Sequence, residues 1–276
     1  MKPETQHRFA FLLVILLGVQ NLVVIALLTD RVVPLFTANI RILTAATLGG
    51  ALTEPLITPH FVLVTVLTIY WGALVTGLIM AVLRIAFDVA KTRMFIRGLN
   101  ITGNKDGVLI FSSDEPAVFT AGLIRPRIYV SERLLELLSP EEASAVLAHE
   151  AFHVRSYEPL RQTVVRCIIY AMPLLPYPAR LEQRLLVLGE VTADTYAEQH
   201  VSSKLPLISA MIKIIESGLP RNLAVSQFSS GRVSALTGGR INGFAAACTL
   251  IATCAVSVMI GYLLVSTELL KACQMG

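Results

Sequence analysis

Charged side chains are scarce in this chain of 276 residues, of which Asp, Glu, Lys and Arg make up only 15%. Hydrophobic residues account for 54% of the chain, and the mean hydropathy is +0.67. Because soluble globular domains carry about 25% charged residues, this composition excludes an ordinary soluble protein. We therefore expect an integral membrane protein.

Cysteine is also scarce, and the four cysteines show none of the paired spacings of a zinc-binding cysteine motif. No disulfide framework is expected from them. The chain likewise lacks a basic stretch interleaved with aromatic residues, so its net charge of +4 does not indicate nucleic-acid binding. The cations instead flank long hydrophobic runs.

Three such runs contain no charged residue and are long enough to cross about 30 Å of hydrocarbon: residues 9–29, 61–83 and 243–266. The first is too long for the core of a signal peptide and has no small-residue cleavage site, so it predicts a retained anchor. We expect three transmembrane helices in three regions of the chain. These are an N-terminal membrane region at 1–87 with an outer loop at 30–60, a domain at 88–242, and a last helix with a short outer tail at 243–276.

Lysine and arginine are distributed unevenly around the three predicted spans. The positive-inside rule therefore places the N-terminus and the 88–242 domain in the cytoplasm, and the C-terminus outside the plasma membrane. The nine cations on the predicted cytoplasmic side are Lys2, Arg8, Arg84, Lys91, Arg93, Arg97, Arg221, Arg232 and Arg240, against Arg31, Arg41 and Lys271 opposite.

Residues 149–153 read His-Glu-Ala-Phe-His. On a helix, His149 and His153 lie one turn apart on the same face, where both imidazoles can bind one zinc ion. Glu150 then stands beside the metal, as the general base of a zinc peptidase does. The alternative is that both histidines are ordinary helix residues, which this spacing around a glutamate disfavours.

The sequence around this motif predicts the helix that the motif requires. Ser139 is a suitable N-cap, Pro140 suits the first helical position, and Glu142 completes a capping box. No glycine or proline interrupts residues 143–154. The pattern predicts a helix over residues 140–157 that displays both histidines.

A catalytic zinc ion normally has three protein ligands, so a third donor is needed downstream. Glu190 is the candidate, on a second predicted helix over residues 180–200. Asp194 lies one turn later, where it can accept a hydrogen bond from a ligand histidine. Three competing carboxylates are explained at least as well by surface salt bridges, namely Glu158, Glu182 and Glu198.

With zinc as the cofactor, the expected reaction is hydrolysis of a peptide bond. Glu150 takes a proton from the attacking water and then delivers it to the leaving amine. Four further side chains could stabilise the oxyanion of the tetrahedral intermediate, and the sequence does not choose among Arg184, Tyr196, His200 and Arg232.

The 88–242 domain begins with predicted strands at residues 108–112, 117–120 and 127–131 and continues with helices. Segment 118–122 is a candidate edge strand that binds an extended substrate, and a purely structural strand explains it equally well. Its candidate substrate contacts are Phe119, Thr120 and Ala121. Residues 164–178 are apolar but too short to span, which predicts a core helix or a segment that dips into the membrane.

From residue 115 to residue 239 the chain resembles the BlaR/MecR-type membrane metallopeptidases, which are antibiotic-sensing transducers, and more distantly the HtpX-type membrane proteases. The likeness rests on PAVFTAGLIRPRIYVSERLLELLSPEEASAVLAHEAFH, on GEVTADTYA, and on SGRVSALTGGR before the last span. It implies a small α+β zincin-like (gluzincin) domain that faces the cytoplasm. It also implies zinc ligands at His149, His153 and Glu190, a catalytic Glu150, and Asp194 as the aspartate of E-x-x-x-D.

The sensing members of this family cleave a cytoplasmic repressor, or the receptor itself, after a signal from outside. They carry a penicillin-binding domain after their last span, whereas about ten residues follow Ser266 here and contain no S-x-x-K motif. Direct β-lactam sensing is therefore not expected, and the three predicted spans differ from the four that the resemblance implies. A sensor partner that supplies an outer domain would complete such a system.

We therefore expect a membrane-anchored zinc endopeptidase that cleaves a cytoplasmic or membrane protein, such as a transcriptional repressor, in regulated proteolysis. A second interpretation is a quality-control protease for membrane proteins. A third, from a different class, is a non-catalytic signalling scaffold in the membrane with a structural metal site.

Overall fold

The computed structural model describes residues 3–49, 59–172, 178–201 and 203–217. The third predicted span, residues 243–266, and the predicted outer tail lie outside the described residues. Within them the chain separates into two compact units. The first contains residues 3–11, 84–166, 179–201 and 203–217, and the second contains residues 12–49, 59–83, 167–172 and 178.

Two long helices precede a small sheet, and shorter helices follow it. The long helices are α1 (Pro3–Gly49) and α2 (Pro59–Arg97). The strands are β1 (Ile101–Lys105), β2 (Val108–Phe111), β3 (Val118–Ala121) and β4 (Arg127–Ser131). The helices after them are α3 (Glu132–Leu137), α4 (Pro140–Arg155), α5 (Glu158–Tyr170), α6 (Pro178–Val201) and α7 (Leu205–Glu216).

In the part of the chain that the structure describes, α1 and α2 are long and apolar enough to cross a membrane. Large apolar side chains are exposed along both helices, including Leu16, Val66 and Ile69. Exposed apolar surface of this kind is stable in lipid and costly in water. The two helices are therefore compatible with membrane association, as the composition predicts.

Helix α1 continues well past the predicted end of the first span. The connection expected over residues 30–60 is helical as far as Gly49, because the backbone stays helical through Asp30, Arg31 and Pro34. Charged residues end an apolar run without breaking a helix. In this stretch the hydroxyls of Thr37, Thr44 and Thr47 each donate to a backbone carbonyl one turn earlier in the helix.

The four strands form one sheet in the order β1-β2-β4-β3. Strands β1 and β2 form an antiparallel hairpin whose turn residues, Asp106 and Gly107, have φ values of 51° and 85°. Positive φ at both positions is what a two-residue type I′ turn requires. Strand β4 pairs with β2 in parallel and with β3 antiparallel, so β3 lies at an edge, as the sequence predicts.

Helix α4 begins with the predicted capping box. The Ser139 side chain accepts from the Glu142 backbone N–H, and the Glu142 carboxylate accepts from the Ser139 backbone N–H at 2.8 Å. The helix ends at Arg155, just short of the predicted end, and Tyr157 beyond it has a φ of 53°. These caps fix the register in which α4 presents its side chains.

The main core of the first unit packs β4 against α3, α4, α6 and α7. Strand β4 contributes Ile128 and Val130, and α4 contributes Ala145 and Val146, all of them buried. Helix α4 is thus fixed by apolar contacts immediately before the histidine motif. Burial of a side chain as large as Ile128 or Val130 contributes about 1.5–3 kcal/mol to the free energy of unfolding.

A polar contact also joins α4 to α7. Lys213 Nζ donates to Glu142 Oε2 at 2.7 Å, and the Ser209 hydroxyl donates to Glu142 Oε1. The Lys213 and Ser209 hydrogen bonds, with that of the Ser139 backbone, hold the pKa of Glu142 at about 2. The carboxylate is therefore ionised at neutral pH and pairs the first turn of α4 with α7.

Candidate metal centre

Helix α4 presents His149 and His153 on one face, as their spacing predicts. Both side chains are buried, and their Nε2 atoms lie 3.1 Å apart. The two rings meet edge to face, with centroids 4.8 Å apart. Two imidazole nitrogens therefore face the same small volume.

Glu190 on α6 brings a carboxylate to the same volume. Its Oε2 lies 3.5 Å from His149 Nε2, and its Oε1 lies 3.7 Å from His153 Nε2. Gly189 precedes it, where a Cβ atom would lie only 2.9 Å from the Glu158 carboxylate. The absence of a side chain at Gly189 lets α6 pack closely against Glu158 next to the position of Glu190.

The spacing of these three donors suits a tetrahedral zinc ion. Zinc binds imidazole nitrogen and carboxylate oxygen at about 2.0–2.2 Å, so the edge of its coordination tetrahedron is about 3.3–3.6 Å. The two Nε2 atoms lie 3.1 Å apart, and each lies 3.5 or 3.7 Å from the nearer oxygen of the Glu190 carboxylate, which is close to that edge. His149, His153 and Glu190 also form the group of potential metal-binding side chains found in the described residues. The donor set therefore fits zinc.

Asp194 lies one turn after Glu190 on α6 and contacts the opposite nitrogen of His149. Its Oδ1 is 2.9 Å from His149 Nδ1, and its side chain is buried. A proton on Nδ1 leaves the lone pair on Nε2, which is the nitrogen that faces the other donors. The contact thus favours the tautomer of His149 that can bind a metal.

Glu150 lies beside this donor set and is held by strand β3. The Thr120 hydroxyl lies 2.8 Å from Glu150 Oε2 and 3.2 Å from the Glu150 backbone oxygen. The hydroxyl donates to the carboxylate and fixes its orientation. Thr120 was expected to contact substrate, and nothing in the sequence indicated its contact with Glu150.

Burial lowers the pKa of His153, and the neighbouring His149 lowers it further. The His153 imidazole is therefore neutral at pH 7, which is the form with a lone pair available for a metal. With His149 in the neutral tautomer that the Asp194 contact favours, the donor set carries one negative charge from Glu190, and a divalent cation offsets that charge.

A cavity of about 380 Å³ contains the donor set. Side chains from α4 and α6 line one part of it, and β3 contributes Val118, Phe119 and Thr120. Phe119 stacks on Tyr129 of β4 with ring centroids 5.2 Å apart, and this contact helps to hold β3 in place. An extended chain bound along β3 would pass the donor set. Ala121 is buried and does not line this cavity.

Among the described residues, the predicted oxyanion residues Arg184, Tyr196 and His200 do not line this cavity. Tyr196 packs on Phe152, with ring centroids 5.5 Å apart, and its backbone oxygen lies 2.8 Å from His200 Nδ1. Arg184 is exposed on α6. Arg184 and Tyr196 lie six residues from Glu190, and His200 lies ten residues from it. On a helix these positions point away from the face that carries Glu190. Arg232 lies outside the described residues.

Two of the three competing carboxylates form salt bridges, as their alternative explanation predicts. Glu182 accepts from Arg166 at 2.6 Å, and Glu198 pairs with Lys204 at 3.4 Å. Neither belongs to the donor set.

Glu158 was expected at the surface, and this expectation is wrong. Its side chain is buried, and its Oε1 lies 3.5 Å from the Nε2 of the buried His7. Burial alone would raise the pKa of Glu158, but the hydrogen bond and charge of His7 hold that pKa below its usual value. No local pattern could reveal this pair, because its members lie about 150 residues apart in the sequence.

Two buried histidines with a partly buried glutamate, a second glutamate beside them and an edge strand along the cavity are together the features of a zincin-type metallopeptidase. In agreement, residues 90–185 match the family profile of Peptidase family M48. The matched segment covers about a third of the chain, includes β1 to β4 and the histidine motif, and ends before Glu190.

The match supports a metallopeptidase and does not distinguish the BlaR/MecR type from the HtpX type. Comparison with curated proteins and with solved structures gave no significant match. The role of Glu190 therefore depends on the geometry described above.

Proposed function

We propose that this protein is a membrane-anchored, zinc-dependent endopeptidase of the M48 type. The observation that carries the proposal is the convergence of His149 Nε2, His153 Nε2 and the Glu190 carboxylate within 3.7 Å of one another. Glu150 stands next to this group in the same cavity. A structural metal site would not need a glutamate placed there as a base.

Each of these side chains has a distinct task in peptide hydrolysis. A zinc ion bound by the three ligands supplies a Lewis acid that polarises a carbonyl and makes a water acidic near neutral pH. Glu150 accepts the proton of the attacking water and delivers it to the leaving amine nitrogen. Thr120 donates to Oε2 of Glu150 and leaves Oε1 for that proton. Asp194 keeps His149 in the binding tautomer.

The substrate that suits this cavity is an extended protein segment. Strand β3 pairs with β4 on one side, and within the described residues its other edge carries no strand. A peptide that adds to this edge gains backbone hydrogen bonds irrespective of its sequence. Val118, Phe119 and Thr120 of β3 line the cavity, which supports binding of the scissile bond close to Glu150.

The proposed location follows from the membrane helices and the charge distribution. Helices α1 and α2 support an anchor in the plasma membrane, and the excess of cations supports a cytoplasmic catalytic unit. The substrate is then a cytoplasmic protein or a membrane protein with a cytoplasmic segment. Regulated cleavage of such a protein, for example a transcriptional repressor, is the role we propose.

Replacement of Glu150 tests the proposal directly. The Glu150→Gln variant of the full chain in detergent should retain one zinc ion per chain and lose cleavage of an unfolded protein by about 10²–10⁴-fold. The matched control is Glu141→Gln, an exposed position on the same helix, which should cleave like wild type. Cleavage by Glu150→Gln at the wild-type rate, or a wild-type protein that retains no zinc, would refute the proposal.

A second comparison separates a dedicated role from quality control. Membrane and cytoplasmic proteins should be quantified in cells that express wild type or Glu150→Gln at equal levels. Accumulation of one or a few proteins in the variant supports regulated proteolysis. Accumulation of many misfolded membrane proteins contradicts it and supports the quality-control interpretation.

A further inference from the structure

A second cavity in the first unit, of about 460 Å³, is separate from the candidate metal centre. It is lined by the first turns of α1, the C-terminal end of α4, the start of α5 and one side of α6, and none of His149, His153 and Glu190 reaches it. The peptidase chemistry proposed above makes no use of it.

Three guanidinium groups line this cavity. Arg8 comes from α1, Arg155 from the end of α4, and Arg161 from α5. Glu4 is the sole acidic side chain among the described residues that line it, and it is already paired with Arg8 at 2.6 Å. In the part of the chain that the structure describes, neither Arg155 nor Arg161 forms a salt bridge. Two guanidinium groups thus remain available to a ligand.

The environment of Arg161 favours an anion. Its guanidinium lies over the Phe11 ring, with Cζ 4.5 Å from the ring centroid. This contact uses the face of the guanidinium and leaves its N–H donors, which lie in the plane, available for hydrogen bonds. Burial lowers the pKa of Arg161, and the like charge of Arg8 lowers it further against the opposing effect of Glu158. A bound anion would offset both costs.

We propose that this cavity binds a phosphate group, held by Arg155 and Arg161 and assisted by Arg8. The planar guanidinium fork matches two phosphate oxygens at once, and a dianion uses more than one such fork. Tyr196, which carries a hydroxyl group, also lines the cavity. The volume exceeds that of a phosphate ion and leaves room for an ester substituent.

Two sources could present this group: a phospholipid headgroup or a soluble phosphate ester. Arg8 immediately precedes the apolar run that begins at Phe9. In the proposed topology this position lies at the level of the cytoplasmic headgroups, where anionic lipids attract basic side chains. The phosphate chemistry is common to both sources, and the two arms of the experiment separate them.

The test uses the full chain as wild type, Arg155→Gln and Arg161→Gln. Arg125→Gln, an exposed arginine of the β3–β4 loop that lies outside this cavity, is the control with the same charge change. The first arm measures the rise in melting temperature with inorganic phosphate in neutral detergent. The second arm measures retention of phosphatidylglycerol against phosphatidylcholine by native mass spectrometry from mixed-lipid nanodiscs.

Wild type and Arg125→Gln should respond alike, and each cavity variant should weaken phosphate binding or lipid retention by at least about 10-fold. A response in the first arm alone assigns a soluble ligand, and one in the second arm assigns a lipid. Equal responses in all four proteins, or no response in wild type, would overturn the proposal. Arg155 is exposed, so Arg155→Gln should fold even if Arg161→Gln does not.

Discussion

At the level of single residues, the tautomer of His149 depends on its contact with Asp194. The Asp194→Asn variant keeps an acceptor oxygen and loses the negative charge, so zinc affinity should fall by about 10–100-fold. Competition with a chromophoric chelator measures this affinity. Asp114→Asn, at an exposed position, is the control. Equal affinities in the three proteins would contradict the role of Asp194.

Residues close in sequence could be paired from the sequence, and distant ones could not. His149 and His153 were paired by the helical repeat, and Glu190 and Asp194 by the same rule on a second helix. The contacts of Thr120 with Glu150 and of His7 with Glu158 join different elements. Such contacts depend on how the elements pack, which local spacing does not contain.

At the level of elements, the ion pair of Glu142 on α4 with Lys213 on α7 predicts that the stability of the fold decreases at acidic pH. The pKa of Glu142 is about 2 in the folded chain and about 4.3 when unfolded. The contribution of the Glu142 carboxylate to the free energy of unfolding is therefore present above about pH 4.3 and is lost as the pH falls towards 2. Glu142→Gln should unfold more easily than wild type at pH 7, on the order of 1 kcal/mol because Lys213 is partly exposed.

Melting temperatures of both proteins across this pH range provide the measurement. The difference between them should be largest near neutral pH and should shrink as Glu142 is protonated. Glu132→Gln, an exposed acidic position on α3, is the control. A difference that stays constant down to pH 2 would mean that Glu142 acts by packing and not by charge.

Elements with strong local signals were predicted well, and elements without them were not. The capping box at Ser139 and the absence of helix breakers predicted α4 nearly to its last residue. Strand β1 was missed because its sequence, ITGNK, is polar and largely exposed, without the alternation typical of a strand. The change in polarity after residue 29 predicts the end of an apolar run, and it carries no information on the end of the helix, which continues to Gly49.

At the level of the whole molecule, the uneven distribution of cations predicts the orientation in the membrane. Epitope tags at the two ends of the chain should differ in their protection from external protease. In intact cells the protease should digest the C-terminal tag and leave the N-terminal tag. Lysis should expose both tags, which is the control. Digestion of the N-terminal tag in intact cells would place the catalytic unit outside and remove cytoplasmic proteins from the possible substrates.

The length of α1 limits how it can sit in a bilayer. Its 47 residues extend about 70 Å, whereas the hydrocarbon layer is about 30 Å thick. Even at a tilt of 40°, the steep end of the range for such helices, the layer encloses only about 26 residues. A straight α1 that crosses the bilayer therefore extends beyond it by roughly 20 residues in total. In that arrangement these residues lie outside the hydrocarbon, in the headgroup layer or in water.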